Sequence, residues 1–465
     1  MTQWRTESDS LGELQVPSEV YYGAQTQRAV NNFPISSRRL PRPFIRAIGL
    51  IKESAAQFNL KRGALPEDLA QAIIQAAEEV VEGKLDAQFV VDVFQTGSGT
   101  STNMNANEVI ANRAIELLGG EKGSKHPVHP NDHVNLGQSS NDVIPTAIHI
   151  AAMESIDGQL LPALQELHAA LEEKARAFDH VLKIGRTHLQ DAVPVRLGQE
   201  FAGYASQLAH GIARVQGCRT HLRELALGGT AVGTGLNAPK GFAAFVRQRL
   251  QTRTGIDFVA APSFFEALGA RDAAVECSGQ LKTVATSLMK IANDIRWLAS
   301  GPRCGLGEIT LPSQQPGSSI MPGKVNPVLA ESMMMVCAQI IGNDAAITIG
   351  NSHGNLELNV MMPMIASNLL ESMDILANAA QTFARLCVVG ITANEAHARG
   401  LIEQSLAMVT ALVPVIGYDA AAKIAQRSVS SGRTVRELVR EAGLLDEQTL
   451  EQILDPRRQT EGPSE

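Results

Sequence analysis

The run Pro316-Gly317-Ser318-Ser319-Ile320-Met321-Pro322-Gly323-Lys324-Val325-Asn326-Pro327 sets two adjacent hydroxyls, one ammonium and one amide between glycine and proline hinges. Residues of these types can hold a carboxylate and create a strong base. Lys324 and Asn326 both donate to an anion, and an ammonium near a serine lowers the pKa of its hydroxyl. Glu331 follows a turn into the next helix, where a carboxylate can orient a histidine. A plain Gly/Pro connector does not account for Ser-Ser-x-Met-Pro-x-Lys-x-Asn in a single run.

Two further regions are rich in groups that bind or move protons. Thr96-Gly97-Ser98-Gly99-Thr100-Ser101-Thr102-Asn103-Met104-Asn105 offers hydroxyls and backbone N–H groups just before a helix that reads on through Glu108 and Ile110. Helix starts bind anions because their first N–H groups lack partners. No GxGxxG follows a strand here and no GK[ST] closes the run, so it is not a nucleotide fingerprint. Taken alone, an N-cap with a serine-rich loop explains it.

The second region comprises His129-Pro130-Asn131-Asp132-His133, then Gln138-Ser139-Ser140-Asn141-Asp142, then Gly185-Arg186-Thr187-His188. Pro130 argues against a regular helix that would turn His129 and His133 toward one metal. Asp142, shortly before Pro145, suits a helix cap. His188 lies among polar neighbours beside a loop with Asp191 and Pro194. A lone histidine is more often structural, but that setting marks this one as a candidate acid or base.

Helices must position these groups. Apolar residues recur at helical steps in five series: Met153 to Leu171; Leu197 through Phe201, Tyr204 and Cys218 to Leu225; Leu281, Val284, Leu288, Ile291, Ile295, Leu298; Leu329 to Ile340; and Ile365 to Cys387. The third alternates steps of 3 and 4 like a bundle seam. Rods of about 30–45 Å can shelter such stripes only along one another, so the fold class is all-α with a central long-helix bundle. Breaks near 119–142 and 390–395 divide the chain into an N-terminal mostly helical domain (1–138), the bundle domain (139–392) and a small C-terminal helical domain (393–465). The polar end from Pro456 is expected to fray. Roughly 27 residues without periodicity separate the helix ending near Ser300 from the one after Pro327, and long unstructured connections of that kind are often lids or binding loops.

Composition narrows the partners. The chain has 465 residues and a net charge of −8, with aromatics at 4%. That excludes an undirected nucleic-acid binder, since neither a basic face nor a stacking surface is available. No uninterrupted run of 18 apolar residues is present, so no membrane partner is expected. The N-terminus lacks an apolar leader and an Arg/Ser-rich transit pattern. The five cysteines show no CxxC, zinc or iron–sulfur spacing. They read as reduced and structural, and the expected location is cytoplasmic.

The blocks quoted above resemble the fumarase/aspartase superfamily of lyases. Gly317 to Pro327 matches its signature loop, which is highly specific. Thr102-Asn103-Met104-Asn105-Ala106-Asn107-Glu108-Val109-Ile110-Ala111-Asn112-Arg113, Gln138 to Asp142 and Gly185 to His188 match three more blocks, and 287–301 (SLMKIANDIRWLASG) reads the same way. The resemblance runs from about Glu13 to Leu454 and is nearest to the class II, iron-independent fumarase branch.

That resemblance implies a three-domain protomer in a homotetramer with twenty helices at its centre and active sites shared between three chains. It implies no metal and no cofactor. The implied reaction is reversible hydration of fumarate to (S)-malate through an aci-carboxylate. His188, Ser318 and Glu331 would be catalytic. Ser98, Gly99, Thr100, Ser139, Ser140, Asn141, Thr187, Ser319, Lys324, Val325 and Asn326 would bind the dicarboxylate. His129, Pro130, Asn131 and Asp132 would form an accessory anion site.

Aspartate ammonia-lyase is the near alternative. Gln138-Ser139-Ser140, His129 and Gly323 favour fumarase, whereas Val328-Leu329-Ala330 and His133 depart from its usual pattern. Argininosuccinate and adenylosuccinate lyases are remote, because Val325 stands where they carry Lys or Arg. A non-catalytic structural protein on this scaffold is disfavoured by Ser318, His188, Lys324 and Glu331 occurring together, and a nucleotide-binding regulator by the absence of a phosphate loop.

Overall fold

The structure is a computed structural model and describes residues 3–461. It opens on an antiparallel hairpin, β1 (Trp4–Asp9) with β2 (Gly12–Pro17). Helices follow as α1 (Ala24–Asn32), α2 (Arg42–Lys61), α3 (Glu67–Val81), α4 (Thr100–Leu117), α5 (Ser140–Ser155) and α6 (Leu161–Ala177). A second hairpin, β3 (Leu182–Thr187) with β4 (Gln190–Arg196), leads into α7 (Leu197–Leu222). Then come α8 (Phe242–Thr254), α9 (Phe264–Gly269), α10 (Asp272–Leu298), α11 (Val328–Asn351) and α12 (Met362–Leu386).

The stripes read from the sequence are the buried faces. Leu281, Val284, Leu288, Ile291 and Ile295 on α10 are all 0–1% exposed. The chain forms two compact units, each built from three stretches. The first runs to Pro162, then takes Ala213–Ala285 and Ala338–Ala377; the second takes Ala163–Ile212, Thr286–Cys337 and the chain from Asn378. The helices α7, α10, α11 and α12 therefore each contribute to both.

Polar clasps align the helices within each unit. In the first, Asp344 of α11 accepts from Ser278 Oγ (2.8 Å) and Lys282 Nζ (2.6 Å) of α10. Asn343 Nδ2 donates to Glu371 Oε2 and Ser372 Oγ of α12, both at 3.1 Å. In the second, Tyr204 of α7 donates to Asp294 of α10 (3.1 Å), and Arg385 of α12 pairs with Glu166 of α6. By length and composition α11 could cross a membrane, although Glu331, Asn343 and Asp344 interrupt any continuous apolar run. Its polar residues bonded to α10 and α12 are what a bundle helix shows.

The C-terminal stretch has an apolar core of its own, made by Ile402, Met408, Leu412, Ile424, Val435, Leu438, Val439, Leu450 and Leu454. It carries α13 (Glu395–Gln404), α14 (Val413–Ile416), α15 (Tyr418–Ser431), α16 (Val435–Glu441), α17 (Glu447–Ile453) and α18 (Pro456–Gln459).

Several expectations need correction. The end from Pro456 is not frayed as far as residue 461: α18 is capped by Asp455 Oδ1, Arg457 reaches the Asp179 carbonyl (2.9 Å), and Arg196 Nη1 reaches Thr460 Oγ1 (3.1 Å). Residues 462–465 of that stretch lie outside the described residues. Leu225, read as part of a helix, pairs in a short parallel bridge with Ala260. The helix assigned to begin near Met153 begins at Ser140 and passes through a π-helical turn, Ile156–Leu160.

Candidate active site

In the first unit, two helix starts meet. Gly99 precedes α4 with φ 73°, and a Cβ there would lie 2.8 Å from Ile144 Cγ1. Only glycine fits that left-handed, crowded cap. It offers no side-chain oxygen, so among the described residues the amides of Thr100 and Ser101 have no acceptor, while Thr102 N bonds Gln95 Oε1 (3.0 Å). Ser139 caps α5 in a reciprocal box with Asp142. The hydroxyls of Ser98, Thr100 and Ser140 form a chain with links of 2.7 and 2.8 Å. Hydroxyls that choose their donor, set at two positive helix ends, suit a carboxylate. Asn141 is held by its Nδ2 on Ala231 O (2.8 Å).

Behind this cluster lies a group that the sequence reading missed. Lys52 is 0% exposed and donates to Asn103 Oδ1 (2.9 Å), Asn135 Oδ1 (2.9 Å) and Gln138 Oε1 (3.0 Å). Burial pushes its ammonium down to about 7, with Asp142 opposing that shift. Asp142 is also fully buried and accepts from the amides of Ser139, Gly228 and Thr230. Burial raises its pKa against those donors and Lys52. A lysine inside the apolar run Leu50-Ile51-Lys52 was the available signal.

In the second unit, the signature loop closes on itself. Gly317 N donates to Lys324 O (2.8 Å) and Asn326 Nδ2 donates back to Gly317 O (2.5 Å). A Cβ on Gly317 would meet that Lys324 oxygen at 2.3 Å, so the closure requires glycine. Inside the ring, Ser318 Oγ accepts from the amides of Ile320 (3.2 Å) and Met321 (2.9 Å). Two N–H donors on one oxygen stabilise its alkoxide. Asn326 keeps a second amide hydrogen for a ligand. Ser319, Lys324, Val325 and Glu331 are exposed.

His188 sits at the tip of the β3–β4 hairpin, a tight turn rather than the loop expected. Thr187 pairs with Gln190, so His188 and Leu189 are the two turn residues, with φ 57° and 58°. Histidine is among the residues enriched at positive φ, whereas leucine is not. Thr187 and His188 are exposed, which rules out a satisfied core histidine. The hairpin is anchored from below: Arg186 pairs with Glu308 (2.9 Å), and buried Lys183 pairs with Glu200 (2.8 Å) and Glu308 (3.3 Å). Within one chain, among the described residues, His188, Ser318 and Glu331 make no hydrogen bond with one another.

The His129 segment is a π-helical turn, Pro130–Val134. His129 Nδ1 accepts from the amides of Asn131 and Asp132 (3.2 Å each), and His133 Nδ1 accepts from His129 N (2.9 Å). Those acceptor roles leave each neutral ring with its proton on Nε2, so both are donors rather than metal ligands. Asp132 stands 3.3 Å from His129. Among the described residues no cluster of His, Cys, Asp and Glu could hold a metal.

A helical scaffold with a serine-bearing anion loop and two hydroxyl-rich helix starts defines a lyase of the fumarase/delta-crystallin kind. The family model described as "Lyase" matches residues 12–342, and "Fumarase C C-terminus" matches 408–461. The mitochondrial fumarate hydratase of Rhizopus oryzae is 55% identical over 458 residues, covering 98% of this chain and 92% of its own. The class II fumarate hydratase of Rhizobium meliloti is 54% identical, covering 98% of both. The crystal structure of class II fumarase from Schistosoma mansoni superposes with a TM-score of 0.95 at 43% identity, covering 98% of this chain and 99% of its own. The chain belongs to the class II fumarase family.

Proposed function

We propose that this chain hydrates fumarate reversibly to (S)-malate. The observation that supports this chemistry is Ser318 Oγ seated on two backbone amides, which suits it to act as the base. In the dehydration direction, from malate, Ser318, as alkoxide, takes the proton from the carbon next to a carboxylate. The electron pair moves into that carboxylate and gives a dianionic aci-acid. Lys324, the free hydrogen of Asn326 and loop amides stabilise the developing charge. His188 then protonates the departing hydroxyl, directly or through water, with Glu331 orienting the ring. Ser98, Thr100, Ser139, Ser140, Asn141 and Thr187 receive the second carboxylate. His129, Asn131 and Asp132 form an accessory anion site, with Nε2–H of His129 as donor.

Four copies complete the site in this reading. Support comes from α11, where Met335, Ala338, Gly342, Ala345 and Ile349 recur at steps of 3, 4, 3 and 4 and are all exposed. That is an unpaired bundle seam. The exposed Lys324 and Glu331 and the tip position of His188 fit groups that meet partners on other chains. The test is a pair of ultraviolet assays for fumarate formation, from (S)-malate and from L-aspartate, in buffer with a chelator. Signal from malate alone is expected. Signal from aspartate alone would make the chain an ammonia-lyase and remove the task given to His188.

A further inference from the structure

The first unit contains a cavity of about 440 Å³ that the hydration chemistry does not use, walled by His149, His221, Glu224, Glu266, Arg271 and Asp272. Its deepest charged group is Arg271, 3% exposed. The guanidinium donates to Ala267 O through Nη2, while Nε is buried without a partner. Glu266 and Asp272 act on it only through space, and burial pushes it down to about 10. A buried guanidinium without an ion pair is costly and marks a place for an anion. The 27-residue α10 begins beside it at Asp272, adding a positive helix end.

The rest of the wall has the opposite sign. Glu224 and Glu266 make no hydrogen bond through their carboxylates among the described residues, and burial raises Glu266. Asp272 accepts from Asn351 (2.7 Å), and Glu276 is paired with His221 (2.7 Å). His149 gives Nδ1–H to Glu224 O (2.7 Å). A dicarboxylate would bring two negative charges into a wall of surplus acid. A molecule with one carboxylate and two ammonium groups matches it.

We propose that this cavity binds a basic α-amino acid, its carboxylate on Arg271 and the start of α10, and its ammonium groups on Glu224 and Glu266. The probe is L-lysine, titrated calorimetrically into the full chain, with acetate and n-butylamine as half-ligands. Saturable lysine binding is expected, at least tenfold tighter than either half. Glu266→Gln should weaken it at least tenfold with malate turnover unchanged, and Arg271→Met should abolish it. Absence of saturable binding to the unmodified protein overturns the proposal. So does competition by (S)-malate, or binding indifferent to Glu266→Gln, a surface change that leaves folding intact if Arg271→Met does not.

Discussion

At the scale of single residues, the proposed mechanism gives Ser318 and His188 separate steps, so their losses should look alike in size and unlike in pH profile. Ser318→Ala and His188→Asn should each lower malate turnover by about 10²–10⁴, read in the fumarate absorbance assay. The assembly should stay intact in both. A variant with near-normal turnover removes that residue from the mechanism. His149 offers a different test, in stability. Burial, reinforced by Arg271, pushes the ring down to about 4 from 6.5. As pH falls through 6.5 the unfolded chain takes up a proton that the folded chain refuses until about 4. Stability therefore falls across that window, by up to about 1.4 kcal/mol per pH unit. Urea midpoints followed downward through it should drop less steeply in His149→Gln than in the parent.

At the scale of elements, the β3–β4 hairpin shows how a candidate reactive side chain is held beside a residue whose backbone conformation that residue does not favour. Leu189, exposed at φ 58°, should gain about 0.5–1 kcal/mol on replacement by Gly, seen as a higher melting temperature. Beneath, Glu308 is 0% exposed and bonded to Lys183 and Arg186. Glu308→Ala leaves buried Lys183 and half-buried Arg186 short of a partner and should cost about 3–5 kcal/mol. It should also lower turnover by loosening the support of His188.

The long helices were legible in the sequence because burial against parallel rods imposes steps of 3 and 4. The hairpin was not. Lys183 is a buried charge in the strand, and the carboxylate that makes this tolerable, Glu308, lies far along the chain. Without that pairing, Leu182 to Thr187 does not read as a strand. The signature loop was legible as chemistry but not as geometry: nothing in Gly317 to Asn326 shows that Asn326 ties the ring or that backbone amides hold Ser318. The same applies to Lys52, whose three amide acceptors come from two separated segments.

At the scale of the molecule, the proposed assembly through the open seam on α11 would make activity a property of the copies together. A Cβ at Gly342 would meet nothing within 4 Å in one chain, so the room is there for a neighbour. Ala345→Glu should place charges face to face in a bundle and shift sedimentation from tetramer to smaller species. Turnover should fall with it. A tetramer that tolerates this change would move the interface elsewhere.

Gly97 carries one more consequence. Its carbonyl accepts from Met362 N (3.0 Å), and a Cβ would stand 1.6 Å from Val360 O. The segment bearing Ser98 and Thr100 is thus clamped by backbone that leaves the ribosome much later. At about 5–20 residues per second the interval is on the order of ten seconds to a minute. For that time the nascent chain displays the proposed substrate-binding segment with no wall behind it, and chains released before residue 360 should keep that segment open to protease.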